Sequence, residues 1–99
     1  MDFKQLHPAF GEILSETPLL SGKPEDQLFP LLVASVSKLL QTETEKLWQV
    51  LYRLDVSEKK VREFLQNNPE SKWPEGIAGL IIEREKERQR WRSIYQNHD

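Results

Sequence analysis

Cysteine is absent from this chain of 99 residues, and its absence excludes several kinds of chemistry together. Disulfide bonds, thiol nucleophiles and thiolate zinc sites all require a cysteine sulfur. The two histidines, His7 and His98, lie near opposite ends of the sequence and lack the spacing of metal ligands. We therefore expect no metal and no other cofactor, and we interpret His7 as a local cap or a solvated side chain.

Glycine is scarce, with four residues, and none of them belongs to a phosphate-binding loop. Gly76 and Gly79 fall inside a predicted helix, where they favour a close helix crossing. The sequence suggests no histidine partner for any serine, and Glu43 and Glu45, two residues apart, point in different directions on a helix. The sequence therefore predicts a protein that is not an enzyme.

A strong charge of one sign and a long apolar run are both missing. The formal net charge is −2, whereas a general polyanion binder is normally basic, so nucleic acid is a disfavoured partner. The longest apolar-rich stretch, residues 28–40, is too short to span a bilayer and contains Lys38. The N-terminus lacks the basic segment and apolar run of a signal peptide. We expect a cytoplasmic protein of bacterial character with no membrane partner.

Helical periodicity dominates what is present. Glycine and proline fall between periodic segments, and no stretch alternates apolar and polar residues for long enough to predict a strand. The pattern predicts an all-α fold, a small single-domain bundle of four to five helices with a long C-terminal helix. The expected helices cover residues 8–16, 26–41, 43–54, 56–67 and 74–96.

Several residues are suited to begin these helices. Asp26 is the expected N-cap of the second helix, which we start late because Pro30 costs little only within the first turn. Thr42 and Asp55 each precede a glutamate by three residues, which is the spacing of a capping box. Ser57 is the alternative cap after Asp55.

Two aromatic residues of the third helix, Trp48 and Tyr52, lie four residues apart and form a stripe beside its apolar face. We favour a core position for both, because aromatic residues are mostly buried in small domains. The alternative is a half-exposed groove for a peptide or helix. A ligand pocket lined by Trp48, Tyr52 or Trp73 is a further reading, for which the sequence gives no reaction class.

The last helix carries the strongest candidate surface. One of its faces is apolar at both ends and has arginine in the middle, and its residues advance by four, three, four, three and four. These residues are Ile77, Ile81, Arg84, Arg88, Trp91 and Tyr95. Arginine and aromatic side chains are common at protein interfaces, so the sequence predicts a non-enzymatic interaction or oligomerisation module. The candidate interface is Arg84, Arg88, Trp91 and Tyr95.

The preferred partner of this face is a second copy of the chain, with another helical protein as the other choice. Two antiparallel helices would place Arg84 and Arg88 near Glu83 and Glu87 of the other copy. The competing interpretation is that the charged run is a solvated face and that Trp91 covers the domain's own core. A separate alternative is nucleic-acid binding by basic residues of the last two helices. These residues are Lys59, Lys60, Arg62, Arg84, Arg88 and Arg92.

Overall fold

The computed structural model describes residues 3–14 and 17–96 of the chain. Six α-helices and one short 3-10 helix, and no β-strand, occur in these residues. The predicted all-α bundle with a long C-terminal helix is therefore confirmed. The helices are α1 (Phe10–Ile13), α2 (Thr17–Leu20), α3 (Glu25–Thr42), α4 (Thr44–Arg53), α5 (Glu58–Asn67) and α6 (Trp73–Gln96), with the 3-10 helix Glu70–Lys72 before α6.

Helix α3 is the centre of the bundle and makes its most extensive contact with α6. One face of α3 is buried because apolar residues recur on it every three or four positions. These residues are Leu28, Leu32, Val36 and Leu39. The opposing face of α6 contributes Ile77, Ala78, Ile81 and Ile82, each at most 2% exposed.

The start of α3 differs from the sequence prediction. Pro24 is the extended N-cap, at ψ 158°, and the helix begins at Glu25, so Asp26 is a first-turn residue rather than the cap. Pro30 lies within the helix, where its missing N–H leaves the carbonyl of Asp26 without its usual partner. The burial of Leu28 and Leu32 on either side of Pro30 offsets this loss.

The predicted first helix, residues 8–16, is much shorter in the structure. Only α1 forms within it among the described residues, and α2 follows where we expected a loop, while residues 15 and 16 lie outside the described part. Phe3 and Phe10 are fully buried, so residues 3–14, which include α1, pack on the bundle. His7 accepts a hydrogen bond at Nδ1 from the Ala9 amide, at 3.0 Å, which confirms the local cap.

The capping-box predictions are wrong, and the alternative cap is correct. The Thr42 hydroxyl donates to the Lys38 carbonyl at 2.8 Å, so it cannot serve as the N-cap of α4. Ser57 caps α5 by accepting from the Lys60 amide at 3.3 Å. Asp55 instead occupies the left-handed region, at φ 59°, within the turn that joins α4 and α5.

The predicted close helix crossing exists at Gly76 and not at Gly79. A Cβ added at Gly76 would overlap the ring of Phe64, whereas one at Gly79 would meet nothing within 4 Å. Since α5 packs on α6 at this point, the missing side chain of Gly76 sets how closely the two helices approach. Helix α6 is thereby fixed on α5 as well as on α3.

Candidate interaction surface

Helix α6 presents two stripes along its length, and only one of them belongs to the core. The inner stripe contains the buried residues Ile77, Ala78, Ile81, Ile82 and Glu85. The outer stripe is Leu80, Arg84, Glu87, Trp91 and Ile94, at successive spacings of four, three, four and three. Because 3.6 residues complete a helical turn, these two sets occupy different sides of α6.

The inner stripe ends at a buried carboxylate. Glu85 is 3% exposed and is the one buried polar residue of the described part of the chain. Arg88 donates to this carboxylate from Nη2 at 2.5 Å and from Nε at 3.0 Å, and Gln89 donates from Nε2 at 3.0 Å. Arg88 Nη2 also donates to the Gln5 carbonyl at 2.5 Å. Arg88 therefore neutralises a buried charge and holds the N-terminal segment against α6.

Arg84 has a comparable contact with another part of the chain. Its Nε donates to the Asp55 carbonyl at 3.0 Å, and its Nη2 donates to the Asp55 carboxylate at 3.1 Å. A longer ion pair, at 3.7 Å, joins Arg84 to Glu87 on the same helix. Arg84 therefore fastens the turn between α4 and α5, and its guanidinium is engaged within the monomer.

The outer stripe becomes exposed where α6 leaves the core. Trp91 is 58% exposed and Ile94 is 51% exposed, so the interpretation that Trp91 covers the domain's own core is wrong. The 24 residues of α6 reach about 36 Å, which exceeds the 27 and 22 Å shorter dimensions of the molecule. The side chain of Tyr95, the fourth predicted interface residue, lies outside the described part.

A groove borders the outer stripe on its α5 side. It encloses about 370 Å³, and its apolar lining comes from Val56, Leu80 and Trp91. Arg84 and Lys60 are its cationic residues, and Asp55, Glu83 and Glu87 are its anionic residues. We call this space the groove. Its lining is of mixed charge with a smaller apolar part, a combination suited to an amphipathic helix.

A second depression, which we call the aromatic slot, adjoins the groove. It encloses about 250 Å³ and is lined by Trp48, Leu51, Tyr52, Val56, Glu58 and Arg62. Val56 lines both depressions, so they meet at the turn between α4 and α5. Leu51 is 2% exposed and Val56 is 9% exposed, so both belong to the core.

The prediction of a core position is wrong for Tyr52, which is 85% exposed. Trp48 is half-buried and packs against the core, and the Arg62 guanidinium lies 5.1 Å from the centroid of its ring. Spacing placed the two aromatic residues on one side of α4, but it did not show which neighbours cover that side. Tyr52 is thus exposed and Trp48 is half-buried, and the binding of a peptide or helix beside them stays a prediction.

Three of the six basic residues predicted for nucleic acid are paired with acidic side chains within the chain. Arg62 donates to Glu58 from Nε at 2.9 Å, and Arg84 and Arg88 are bonded to acidic groups as described above. Lys59 and Lys60 are exposed on α5. Nucleic-acid binding stays a prediction, and a salt-dependent mobility shift with duplex and single-stranded oligonucleotides tests it.

The environment of His7 joins the N-terminal segment to the charged residues of α6 and α4. Burial lowers the pKa of the His7 imidazole, and the nearby Arg88 guanidinium lowers it further. The Glu85 carboxylate partly opposes this shift, and Arg53 adds to it. Arg53 also pairs with Glu12 of α1. His7 is thus favoured as a neutral hydrogen-bond acceptor.

The described residues form neither a cluster of metal ligands nor a membrane-spanning helix. No group of three or more histidine, aspartate or glutamate side chains within residues 3–14 and 17–96 is arranged to hold a metal ion. None of the helices in that part of the chain has the length and apolar character needed to cross a bilayer. Trp73 donates from Nε1 to the Asn68 carbonyl at 3.0 Å. It lines a different depression from the aromatic slot, together with Leu40 and Thr44.

Comparison with known proteins gives no relative for this chain: no family model, no curated protein and no solved structure matches it.

The sequence prediction of the candidate interface did not include three residues of this surface, Leu80, Val56 and Ile94. The spacing of three from Trp91 to Ile94 is a sequence signal that identifies Ile94. Val56 and Leu80 join the surface only through tertiary packing, which no local pattern reports.

Proposed function

We propose that this protein is a self-association module whose outer stripe on α6 binds the same stripe of a second copy. The observation that carries the proposal is the exposure of Trp91 and Ile94 on a helix that is firmly anchored by its inner stripe. Large exposed apolar side chains on an ordered helix leave apolar area in water, and helix pairing buries it. The heptad spacing of the outer stripe suits such pairing.

An antiparallel arrangement about a two-fold axis makes the stripe complementary to itself. If the two helices cross between Glu87 and Arg88, Arg84 of each copy lies opposite the partner's Trp91. A guanidinium on an indole ring is a favourable contact, and Arg84 keeps its bonds to Asp55 while its flat face stacks. Arg90, at the exposed end of α6, then lies near the carboxylates of Glu83 and Glu87 of the other copy.

We therefore revise the membership of the candidate interface that was predicted from the sequence. Trp91 and Arg84 keep direct roles, with Ile94 added, while Arg88 supports the fold through Glu85. Tyr95 remains in the proposed interface by its position on the last turn of α6. The cysteine-free sequence is compatible with a reducing compartment, and we assign the module to the cytoplasm on that ground.

Sedimentation equilibrium into the high micromolar range tests the proposal. We expect a dimer whose dissociation constant rises at least about tenfold when Trp91 is changed to alanine, which corresponds to about 1.4 kcal/mol. The matched control is Leu19→Ala, since Leu19 is 72% exposed on α2 and should leave the dimer unchanged. A monomer at all concentrations, with normal helicity, contradicts the proposal.

A further inference from the structure

The outer stripe by itself is small for a stable dimer. Stable interfaces bury about 800 Å² on each partner and involve roughly 20 residues a side. The stripe has five members, and two of them, Leu80 and Arg84, are already half-buried within the monomer. A dimer that used only this stripe would leave the adjoining groove and aromatic slot in water. Additional surface must therefore come from the depressions next to α6.

We infer that the aromatic slot receives the last turn of α6 from a second copy, with Ile94 as the inserted side chain. This inference rests on the proposed self-association and names its second contact region. The crossing between Glu87 and Arg88 puts the partner's Ile94 opposite Ile81, next to Leu80. Leu80 and Val56 line the same groove, and Val56 also lines the slot. The end of the partner's α6 therefore arrives at the edge of the slot.

The charge of the slot matches an apolar occupant. Its two charged residues satisfy each other, since Arg62 Nη2 lies 2.7 Å from the Glu58 carboxylate. The rest of the lining is the aromatic and aliphatic surface of Trp48, Leu51, Tyr52 and Val56. A charged side chain that entered the slot would lose its hydration without gaining a partner. An isoleucine has no polar side-chain group, so it does not pay this desolvation cost. Tyr52, exposed in the monomer, would then cover the inserted side chain.

The two-fold symmetry doubles this contact. Each copy offers one slot and one α6 end, so insertion occurs twice in one closed dimer and leaves no slot for a third chain. A head-to-tail arrangement would leave one slot and one α6 end unfilled and would continue to larger assemblies. The inference therefore predicts a closed dimer and no higher species.

A double-mutant cycle on sedimentation equilibrium tests the insertion. We expect Tyr52→Ala and Ile94→Ala each to raise the dimer dissociation constant about tenfold or more. We expect the double variant to raise it by clearly less than the product of the two effects, because both changes remove the same contact. The control cycle pairs Ile94→Ala with Leu19→Ala, and its effects should multiply.

The outcomes separate this inference from the proposed function. If Trp91→Ala weakens the dimer but Tyr52→Ala and the second variant Tyr52→Lys leave it unchanged, the insertion is wrong and self-association stands. If the effects of Tyr52→Ala and Ile94→Ala multiply fully, the two residues do not touch and the insertion is again wrong. If the unaltered chain is monomeric throughout, both claims are wrong. Circular dichroism of each variant confirms that it is folded before its dissociation constant is interpreted.

Discussion

At the scale of single residues, Arg84 and Arg88 lie about one turn apart on α6 and have different structural roles. Arg88 neutralises Glu85, which is 3% exposed, while Arg84 pairs with Asp55, whose side chain is 85% exposed. Removing one partner of a buried ion pair leaves an uncompensated charge, whereas removing a partner of an exposed pair leaves a hydrated one. The two arginines should therefore differ sharply when each is truncated.

We expect Arg88→Ala to lower the free energy of unfolding by about 3 kcal/mol, because Glu85 would retain only the Gln89 amide as a donor. Arg84→Ala should lower the free energy of unfolding by no more than about 1 kcal/mol. Urea denaturation followed by circular dichroism measures both values. Equal losses from the two variants would show that burial of Glu85 does not govern the difference.

The two glycines of α6 form a second matched pair. Gly76→Ala should lower the free energy of unfolding by about 1 to 3 kcal/mol, since its methyl group overlaps the Phe64 ring and forces α5 away. Gly79→Ala should raise the free energy of unfolding by up to about 1 kcal/mol, because alanine favours the helix and its Cβ meets nothing. Thermal denaturation of the two variants compares them, and a gain from Gly76→Ala would contradict the close crossing.

The His7 imidazole makes stability depend on pH in a defined direction. Its pKa is lowered in the fold, chiefly by burial, so the folded state binds a proton less readily than the unfolded state. The contribution of His7 to the free energy of unfolding is therefore complete above its unfolded pKa of about 6.5 and falls as the pH drops below that value. Protonated Nδ1 would also be unable to accept from the Ala9 amide.

His7→Asn isolates this effect, because asparagine keeps a side-chain acceptor for the Ala9 amide and does not titrate. We expect the unaltered chain to lose more stability than the variant when the pH is lowered from about 7.5 to 5.5. Urea midpoints at the two pH values give the comparison. Parallel losses in both proteins would assign the pH dependence to other groups.

At the scale of elements, the sequence predicted the helices that have strong apolar periodicity. Helix α3 and helix α6 were expected at 26–41 and 74–96, and the structure places them at Glu25–Thr42 and Trp73–Gln96. The expected helix at 8–16 was too long, since α1 covers only Phe10–Ile13. Phe3, Leu6 and Phe10 are buried in the core, and the path of the chain there depends on the rest of the bundle. Periodicity reports which residues share a face, and it does not report what covers that face.

The candidate surface shows the same limit at two places. Arg84 and Arg88 were assigned to an interface because they continue an apolar stripe, but their partners, Asp55 and Gln5, lie 29 and 83 residues away in the sequence. Tyr52 was assigned to the core because it is aromatic, and its exposure follows from the depression that it lines together with Val56. Trp91 is exposed, and its place in an interface stays a prediction.

The end of α6 should be separable from the rest of the bundle. A chain that stops after Arg90 keeps Glu85, Arg88 and Gln89, and it loses Trp91 and Ile94. We expect it to unfold cooperatively, with a free energy of unfolding within about 1 kcal/mol of the full chain's monomer, and to sediment as a monomer. A shortened chain without cooperative unfolding would show that the last turns are part of the core.

At the scale of the whole molecule, the described residues combine a packed core with exposed apolar side chains near the end of α6. Five large hydrophobic residues are exposed among those that the structure describes, and three of them, Tyr52, Trp91 and Ile94, line the groove or the aromatic slot or continue the outer stripe. The other two, Leu19 and Leu31, belong to α2 and α3. The apolar exposure of the described residues is therefore concentrated around the end of α6, where a second copy is proposed to bind.

The most direct test of this account is to follow the backbone amide resonances of the uniformly labelled chain by NMR while it is diluted from high to low micromolar concentration. The account predicts concentration-dependent shifts at Leu80, Glu87, Trp91 and Ile94, together with the indole of Trp48 and the amide of Tyr52, and little change on α2. Resonances that do not move on dilution, or that move around Leu19 and Leu31 instead, would contradict it.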